Sequence, residues 1–401
     1  MSAAQAQQRN TTRNLVEESG LPLVFKLAHP LPGLPKSARD ESVRTYVNSL
    51  TVFQKEAFVT SRRAGQTWRF TSDEGKYLLG HDAAPAPLTF LTVGMVSSYM
   101  NEVLALAKAR GIDLEDVTLI QDNYYSMQGS MRQGSMTASA KNVDLTLEAT
   151  SSASTQELTN LMLNAVAASP LNGLMRGEKE SLFTLSHNGA EIATDAALPL
   201  NKPMLPYDLK GGQPAIAAGD WTGIIRRGPI TPKSALTNSS DGSSLTDQQD
   251  RILHLRGICT LRADGVKQIE QQLFNPHGSI FYFLSDEGTQ DGGRGLAPNA
   301  ASYISAGIGF CFMTQFGRFA KMSNSKLKEY HIIQDSYFSL GGASGATGQL
   351  GAADPLETHV HITSEEGDDF ARYILDVSER TCFLHAFCRT DLKTKIKIRQ
   401  H

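Results

Sequence analysis

The sequence predicts a mixed α+β protein in which one type of domain occurs twice. The chain has 401 residues, more than a single hydrophobic core usually organises. It also resembles itself when shifted by 213 residues, and in each copy the predicted strands are grouped around two helices instead of alternating with them. The predicted copies are residues 41–190 and 252–401, with an N-terminal extension at 1–40 and a linker at 191–251.

The internal repeat is carried by a motif and by the ungapped similarity that follows it. The tetrapeptide SDEG occurs at Ser72–Gly75 and again at Ser285–Gly288, and from Ser72 onward the two copies share 17 identities over 55 positions. The segment between the copies is first rich in proline and glycine and then polar, which is typical of a connector. Because SDEG occurs in both copies, we interpret it as a turn and not as a catalytic element.

Each copy is predicted to contain the same elements in the same order. Alternating apolar and polar residues indicate a hairpin, with its turn near 62–65 in the first copy and 275–278 in the second. Pro85 or Pro298 then opens a long central helix. The later elements are two strands (117–126 and 142–150; 330–340 and 357–363), a second helix (155–174; 368–387) and a closing strand (181–187; 391–398).

Composition restricts the partners and the compartment. The 38 basic and 41 acidic residues give a net charge of −3, so we expect no nucleic-acid partner. The N-terminal residues MSAAQAQQRNTTRN lack the apolar core of a secretory signal, so we expect none. The best apolar stretch, Leu88–Ala107, is interrupted by Asn101 and Glu102, so we expect no membrane span. Four cysteines are too few for a disulfide scaffold, which favours a cytoplasmic protein.

The copies differ where chemistry is expected. Ser98 in the first copy corresponds to Cys311 in the second, and Pro170 corresponds to Cys382 when a shift of one residue is allowed. Only the second copy therefore has a cysteine on each helix. Two interpretations are open, because cysteine is often simply a small buried apolar residue and is also a nucleophile.

These cysteine segments resemble those of a known family. GLAPNAASYISAGIGFC, which ends at Cys311, looks like the first-cysteine helix of the OsmC and organic hydroperoxide resistance (Ohr) family. HVHITSEEG followed by SERTCFLHAF resembles the second-cysteine segment, and together the two segments cover most of residues 252–401. The first copy matches the architecture without the cysteines, so it looks like a degenerate repeat.

The resemblance implies a thiol peroxidase that reduces organic hydroperoxides. Cys311 would become a sulfenic acid and Cys382 would condense with it to a disulfide, with no cofactor and no metal. The partners would be a small-molecule substrate and a thiol reductant of unknown identity. Family members resemble intertwined dimers, so the two copies are expected to form an internal pseudo-dimer; whether two chains associate further stays open.

The nucleophile must be a thiolate, and its stabilising groups are sought among its neighbours. On the helical face of Cys311, Gln315 and Arg318 are candidates for the substrate pocket. Gly307 lies on the same face, and it would either let a substrate approach the sulfur or allow two helices to pack closely.

The sequence departs from the family at two polar positions. The expected glutamate about ten residues before the first cysteine is Ala301, and the hairpin of the second copy, FNPHGSIF, has no arginine. Arg62 and Arg63, in the hairpin of the first copy, are therefore candidates for a cation supplied across the two copies.

Three other hypotheses remain open. A metal site is suggested by His359 and His361 on one strand face and by Cys382, His385 and Cys388 at intervals of three, but such spacing drifts around a helix, so we expect no metal. The same cysteine would serve equally in a hydrolase, lyase or transferase that acts on a small sulfur-containing or electrophilic compound. A non-catalytic protein with a lipid-like ligand between its helices is the third hypothesis.

Overall fold

The structure is a computed structural model, and it describes residues 13–207, 209, 214–232, 243–340 and 347–401. Within these ranges the chain forms six α-helices and two large β-sheets, which confirms the predicted mixed α+β class.

The helices and strands of the N-terminal part begin with a short helix and end with a short strand. They are α1 (Leu15–Glu18), β1 (Val24–Lys26), β2 (Glu41–Ser49), β3 (Lys55–Ser61), β4 (Gln66–Ser72), α2 (Pro87–Arg110), β5 (Glu115–Ser130), β6 (Thr137–Ala140), β7 (Val143–Thr150), α3 (Thr155–Ala168), β8 (Leu182–His187) and β9 (Ala190–Ile192).

The C-terminal part repeats this order with small changes. Its elements are β10 (Ile225–Ile230), β11 (Gln248–Leu261), β12 (Lys267–Asn275), β13 (Ser279–Ser285), α4 (Ala300–Ser323), β14 (Leu327–Ser339), β15 (Ala352–Ala353), β16 (Glu357–Ser364), α5 (Asp368–Thr381), α6 (Phe383–Cys388) and β17 (Thr394–Gln400).

Each sheet is built from strands of both segments. The first has the order β1-β4-β3-β2-β14-β16-β8-β9, with β15 beside β14, and the second has the order β10-β13-β12-β11-β5-β7-β17, with β6 beside β5. The N-terminal strand β2 pairs antiparallel with the C-terminal β14, and β11 pairs in the same way with β5. The two segments are thus joined by exchanged hairpins, as expected for an internal pseudo-dimer.

The two central helices, α2 and α4, pack against each other at glycines. A Cβ atom on Gly307 would lie 2.9 Å from the backbone nitrogen of Leu91, and one on Gly94 would lie 2.7 Å from the carbonyl oxygen of Ala300. Both distances are too short for a side chain, so Gly307 permits close helix packing. Of the two roles considered for Gly307, the structure supports this one and not substrate approach.

Three details differ from the sequence prediction. The second helices are shorter than predicted, because α3 ends at Ala168 and the chain leaves helical geometry at Cys382, between α5 and α6. The segment predicted as a linker supplies the edge strand β10 and the start of β11. Pro87, not Pro85, occupies the first turn of α2.

Helix α2 is long and apolar enough to cross a membrane by length and composition alone. Of its most apolar window, 78% is buried inside the protein, where the helix packs against α4 and the second sheet. Its apolar character is therefore explained by the core of this fold.

Candidate active site

The structure brings the two predicted cysteines together. Cys311 lies in the middle of α4 and is 2% exposed, and Cys382 is fully buried at the break between α5 and α6, where its backbone is extended (φ −77°, ψ 118°). The two side chains are close enough for Cys382 to raise the pKa of Cys311. All four cysteines, Cys259, Cys311, Cys382 and Cys388, are buried and free of disulfide bonds in this structure.

The position of Cys382 in the N-terminal segment is Ser169 and not Pro170. Ser169 follows the last residue of α3 and has a similar extended backbone (φ −57°, ψ 120°). The shift of one residue assumed from the sequence is therefore unnecessary, because the same shift of 213 residues relates both cysteines to serines.

Cys311 opens onto a small cavity between the two segments. The cavity holds about 30 Å³ of free space, enough for one or two water molecules. Gln315 and Arg318, both predicted to lie near the substrate, line it. The other lining residues are Glu74, Tyr77, Leu78, Ala86, Pro87, Leu88, Arg251, Leu253, Leu273, Pro276, Thr314 and Phe383.

The carboxylate in this cavity comes from the N-terminal segment. Glu74 belongs to the first SDEG motif and is buried. It accepts a hydrogen bond from Oγ1 of Thr314 at 3.0 Å and another from the hydroxyl of Tyr77 at 2.6 Å. Thr314 lies three residues after Cys311, so Glu74 is held beside the nucleophile by the helix that carries it.

In the first SDEG motif, the aspartate has the turn role that we predicted, but the glutamate does not. Asp73 accepts hydrogen bonds from the backbone nitrogens of Glu74, His81 and Ala83, which fixes the loop after β4. The glutamate that follows points into the cavity, because the exchanged hairpin places the loop of one segment over the central helix of the other.

A buried lysine accompanies Glu74. Lys55, at the start of β3, is 1% exposed, and its Nζ donates a hydrogen bond to the carbonyl oxygen of Phe53 at 3.0 Å. Burial lowers the pKa of Lys55 to about 8, although the negative charges of Glu74, Asp73 and an ionised Cys311 each favour its protonated form. Lys55 thus supplies a positive charge that acts on Cys311.

The reduced cysteine pair favours the thiol over the thiolate. Burial raises the pKa of Cys311 well above its usual range, and the hydrogen bond with Cys382 and the charges of Cys382 and Glu74 raise it further. The backbone N–H of Leu384 acts in the opposite direction. Cys311 therefore needs a group that removes its proton when it reacts.

The predicted arginines Arg62 and Arg63 do not line the cavity of Cys311. Arg63 forms an ion pair with Asp291, with its Nε 2.8 Å from Oδ1, and Arg62 donates to backbone carbonyl oxygens at the N-terminal end of β2. The reason is the hairpin exchange, which brings the 62–65 turn to the Ser98 side and the arginine-free turn containing Pro276 to the Cys311 side.

Arg63 instead lines a larger cavity of about 570 Å³ beside Ser98. There, Lys267 and Glu287 take the places of Lys55 and Glu74. Lys267 donates from Nζ to Asn101 at 2.6 Å, and Asn101 donates from Nδ2 to Glu287 at 2.8 Å. The N-terminal segment thus has the polar surroundings of a site without its thiols.

The residues considered for a metal site do not form one. His359 and His361 share hydrogen bonds with Thr184 and Ser186, at 2.7 and 3.2 Å. Across the part of the chain that the structure describes, no group of three or more His, Cys, Asp or Glu residues is arranged to hold a metal ion.

Sequence reasoning missed Lys55 and Glu74 because both are more than 230 positions from Cys311. The signal was present in the repeat, since the glutamate of SDEG is retained in both copies. Its partner could be identified only after the hairpin exchange was known.

The fold and the cavity define a protein with a buried dithiol between two interlocked α+β segments. Residues 292–397 match the family model described as OsmC-like protein, so this C-terminal segment is OsmC-like. A crystal structure of an OsmC-like hydroperoxide resistance protein from Jannaschia sp. CCS1 is similar at 19% identity, covering 32% of this chain and 79% of that chain, with a TM-score of 0.19. The comparison with curated proteins gave no match.

Proposed function

We propose that the protein is a thiol-dependent peroxidase that reduces organic hydroperoxides through Cys311 and Cys382. The observation that carries this proposal is the proximity of the two thiols, together with Glu74 in the cavity onto which Cys311 opens and the charge of the buried Lys55 acting on Cys311. Two neighbouring buried thiols are suited to forming a disulfide, and a nearby cation is suited to forming a thiolate.

The reaction has two steps. The Cys311 sulfur attacks the terminal oxygen of the hydroperoxide, the O–O bond breaks, and the alkoxide leaves as an alcohol after taking up a proton. The Cys382 thiol then attacks the sulfenic sulfur of Cys311, so that a disulfide forms and water leaves. The net result is one hydroperoxide and two thiols converted to an alcohol, water and a disulfide, which an external thiol reductant must reopen.

Lys55 is the group proposed to manage the proton. With a pKa of about 8 it exists in both protonation states near neutral pH, as an efficient proton-transfer group requires. Its neutral form would accept the proton of Cys311, and its charged form would stabilise the thiolate and return a proton to the leaving alkoxide. Glu74, fixed by Thr314 and Tyr77, would keep the charge of Lys55 beside the reacting thiol.

The position of Cys382 suits a resolving thiol. It lies at a junction between two helices, so a change in its backbone angles would not require breaking a helix interior. We further propose a reducing cytoplasmic compartment, because four cysteines are too few for a disulfide scaffold and such a cycle needs a supply of reduced thiol.

Hydroperoxide consumption tests this function. The purified full-length protein should reduce several equivalents of cumene hydroperoxide when dithiothreitol is supplied, and Cys311→Ser should abolish this. Ser98→Ala, at the corresponding position of the other segment, is the matched control and should retain most of the activity. Arg63→Ala should also retain it, because Arg63 is paired with Asp291 on the Ser98 side.

Unchanged consumption in Cys311→Ser would contradict the proposal. A wild-type protein whose Cys311 is readily alkylated but which consumes no hydroperoxide would also contradict it, and would favour a hydrolase, lyase or transferase that uses the same cysteine.

A further inference from the structure

Two arginines in the Cys311 cavity have N–H groups without a partner. Arg318 is 2% exposed; its Nε donates to the carbonyl oxygen of Ser244 at 2.9 Å, and its Nη1 lies 3.5 Å from Oε1 of Gln315. Its buried Nη2 has no hydrogen-bond partner among the residues that the structure describes. Arg251 donates to Oγ of Ser244, and its buried Nε likewise has no partner in the described part of the chain.

Two positive side chains, Arg251 and Arg318, line the cavity with one negative side chain, Glu74. Arg318 and Arg251 are near enough to each other for their charges to repel, and Glu74 is the acidic side chain that lines the cavity beside them. Lys55 is compensated by Glu74 and Asp73 together, so Glu74 is shared between this lysine and the two arginines. A buried guanidinium with an unused N–H is costly unless an anion is bound to it.

We propose that Arg318 and Arg251 form an anion subsite that binds a carboxylate of the substrate beside Cys311. The planar guanidinium presents paired donors that match a carboxylate, which a point charge such as Lys55 does not. The remaining wall is apolar, with Leu253, Leu273 and Phe383, and would hold the carbon skeleton.

The size of the cavity narrows the substrate class. The arginines line the same small space as the Cys311 sulfur, and its lining side chains must move apart to admit any ligand larger than about two water molecules. The carboxylate and the reacting group must therefore be separated by only a few bonds. The substrate is a short-chain hydroperoxy acid and not a long lipid whose carboxylate lies far from its hydroperoxide; the identity of the reacting group rests on the proposed function.

Two alkylating agents of nearly equal size test the subsite without using peroxidase activity. Iodoacetate and iodoacetamide both transfer a two-carbon group to a thiolate with release of iodide, and they differ in the carboxylate. We expect the ratio of their rate constants at Cys311, located by peptide mass spectrometry, to exceed the ratio for 2-mercaptoethanol by about tenfold. Arg318→Met and Arg251→Met should each reduce this ratio several-fold.

Two control variants show whether a change in the iodoacetate to iodoacetamide ratio comes from the lost charge or from a folding defect. Arg318→Lys keeps the charge and should retain part of the preference, and Arg372→Met, on the exposed face of α5, should leave it unchanged. A ratio at wild-type Cys311 no higher than that of 2-mercaptoethanol would overturn the subsite, and so would a preference that survives in both Arg318→Met and Arg251→Met.

A second pair of compounds separates this inference from the proposed function. The protein should consume 3-hydroperoxy-3-methylbutanoate with a higher kcat/KM than tert-butyl hydroperoxide, and Arg318→Lys should narrow the difference. If neither is consumed while iodoacetate is still preferred, the peroxidase proposal fails and the subsite stands. If both are consumed equally and iodoacetate is not preferred, the subsite fails and the peroxidase stands.

Discussion

Ser98 and Ser169 form a hydrogen bond through their hydroxyl oxygens, which lie 2.7 Å apart, at the positions that Cys311 and Cys382 occupy in the other segment. The geometry of the dithiol is therefore retained where the sulfur chemistry is absent. The contact is a property of the fold, set by the central helix and by the end of the second helix.

This correspondence predicts that a second dithiol can be built. In the double variant Ser98→Cys with Ser169→Cys, the new thiols should lie within disulfide reach, because the two hydroxyls are already in contact. Treatment with diamide and peptide mass spectrometry should show a disulfide between these positions. A variant that stays fully reduced at these two positions while the Cys311 pair oxidises would contradict the equivalence of the two sites.

Cys382→Ser should separate the two steps of the proposed cycle. One equivalent of hydroperoxide should convert wild-type protein to an intramolecular disulfide, whereas the variant should stop at the sulfenic acid of Cys311, because no thiol remains in contact with it. Trapping with dimedone and mass spectrometry would detect this adduct. Steady turnover of the variant at the wild-type rate would instead favour a mechanism with one cysteine.

Lys55→Met should reduce kcat/KM for the hydroperoxide by about 100-fold, the size of effect typical for a proton-transfer group. In the wild type, the rate of Cys311 alkylation should change with an apparent pKa near 8, and this transition should be absent from the variant. Lys267→Met, at the same position beside Ser98, is the matched control and should behave as the wild type does. An unchanged pH profile in Lys55→Met would exclude this role.

His385 should make the protein sensitive to acid. Burial lowers the pKa of His385 to about 3, and neither ring nitrogen has a hydrogen-bond partner among the described residues. Between pH 6.5 and 3 the unfolded chain binds a proton that the folded chain does not, so the free energy of unfolding falls as the pH is lowered. The loss from this group should be about 3 kcal/mol at pH 4.

Urea denaturation at pH 7 and pH 4 would measure this effect. His385→Phe should lose less stability than the wild type over this interval, because its ring already packs against Phe312, with centroids 4.6 Å apart, and gains no charge. His29→Phe, at an exposed position, should lose as much as the wild type. Equal losses in all three proteins would show that His385 does not control acid stability.

Gly307→Ala should destabilise the contact between α2 and α4. Its Cβ would lie 2.9 Å from the nitrogen of Leu91, and backbone atoms cannot move away without shifting the helix. We expect a loss of about 2 kcal/mol in the free energy of unfolding, measured by urea denaturation. Gly367→Ala meets no atom within 4 Å and is the control. A neutral Gly307→Ala would mean that the helices can separate at little cost.

The fold class and the repeat could be predicted from the sequence because both are visible in local patterns, one of which recurs after 213 residues. The pairing of the two segments was expected from the family resemblance. Alternation of apolar residues, a proline at a helix start and a repeated tetrapeptide are local signals. The positions of Cys311 and Cys382 were also identified in this way, since each lies in a recognisable segment.

The charged half of the site could not be predicted because it depends on contacts between distant segments. Lys55 and Arg251 look like ordinary strand residues. Nothing near them in the sequence indicates that Arg251 lines the cavity of Cys311 or that the charge of Lys55 acts on this thiol. Arg62 and Arg63 were predicted to lie near Cys311, but they lie on the Ser98 side. The direction of the hairpin exchange decides which turn faces which central helix, and the sequence does not reveal this direction.

Because the hairpins are exchanged, the residues of the site come from both halves of the polypeptide. A chain cut between β9 and β10 would give one fragment with both reactive thiols and another with Lys55 and Glu74. Neither fragment would contain a complete site, and neither would have a complete sheet. Activity would then depend on the concentration of both pieces, whereas the continuous chain supplies each half of the site with its complement at a fixed ratio of one to one.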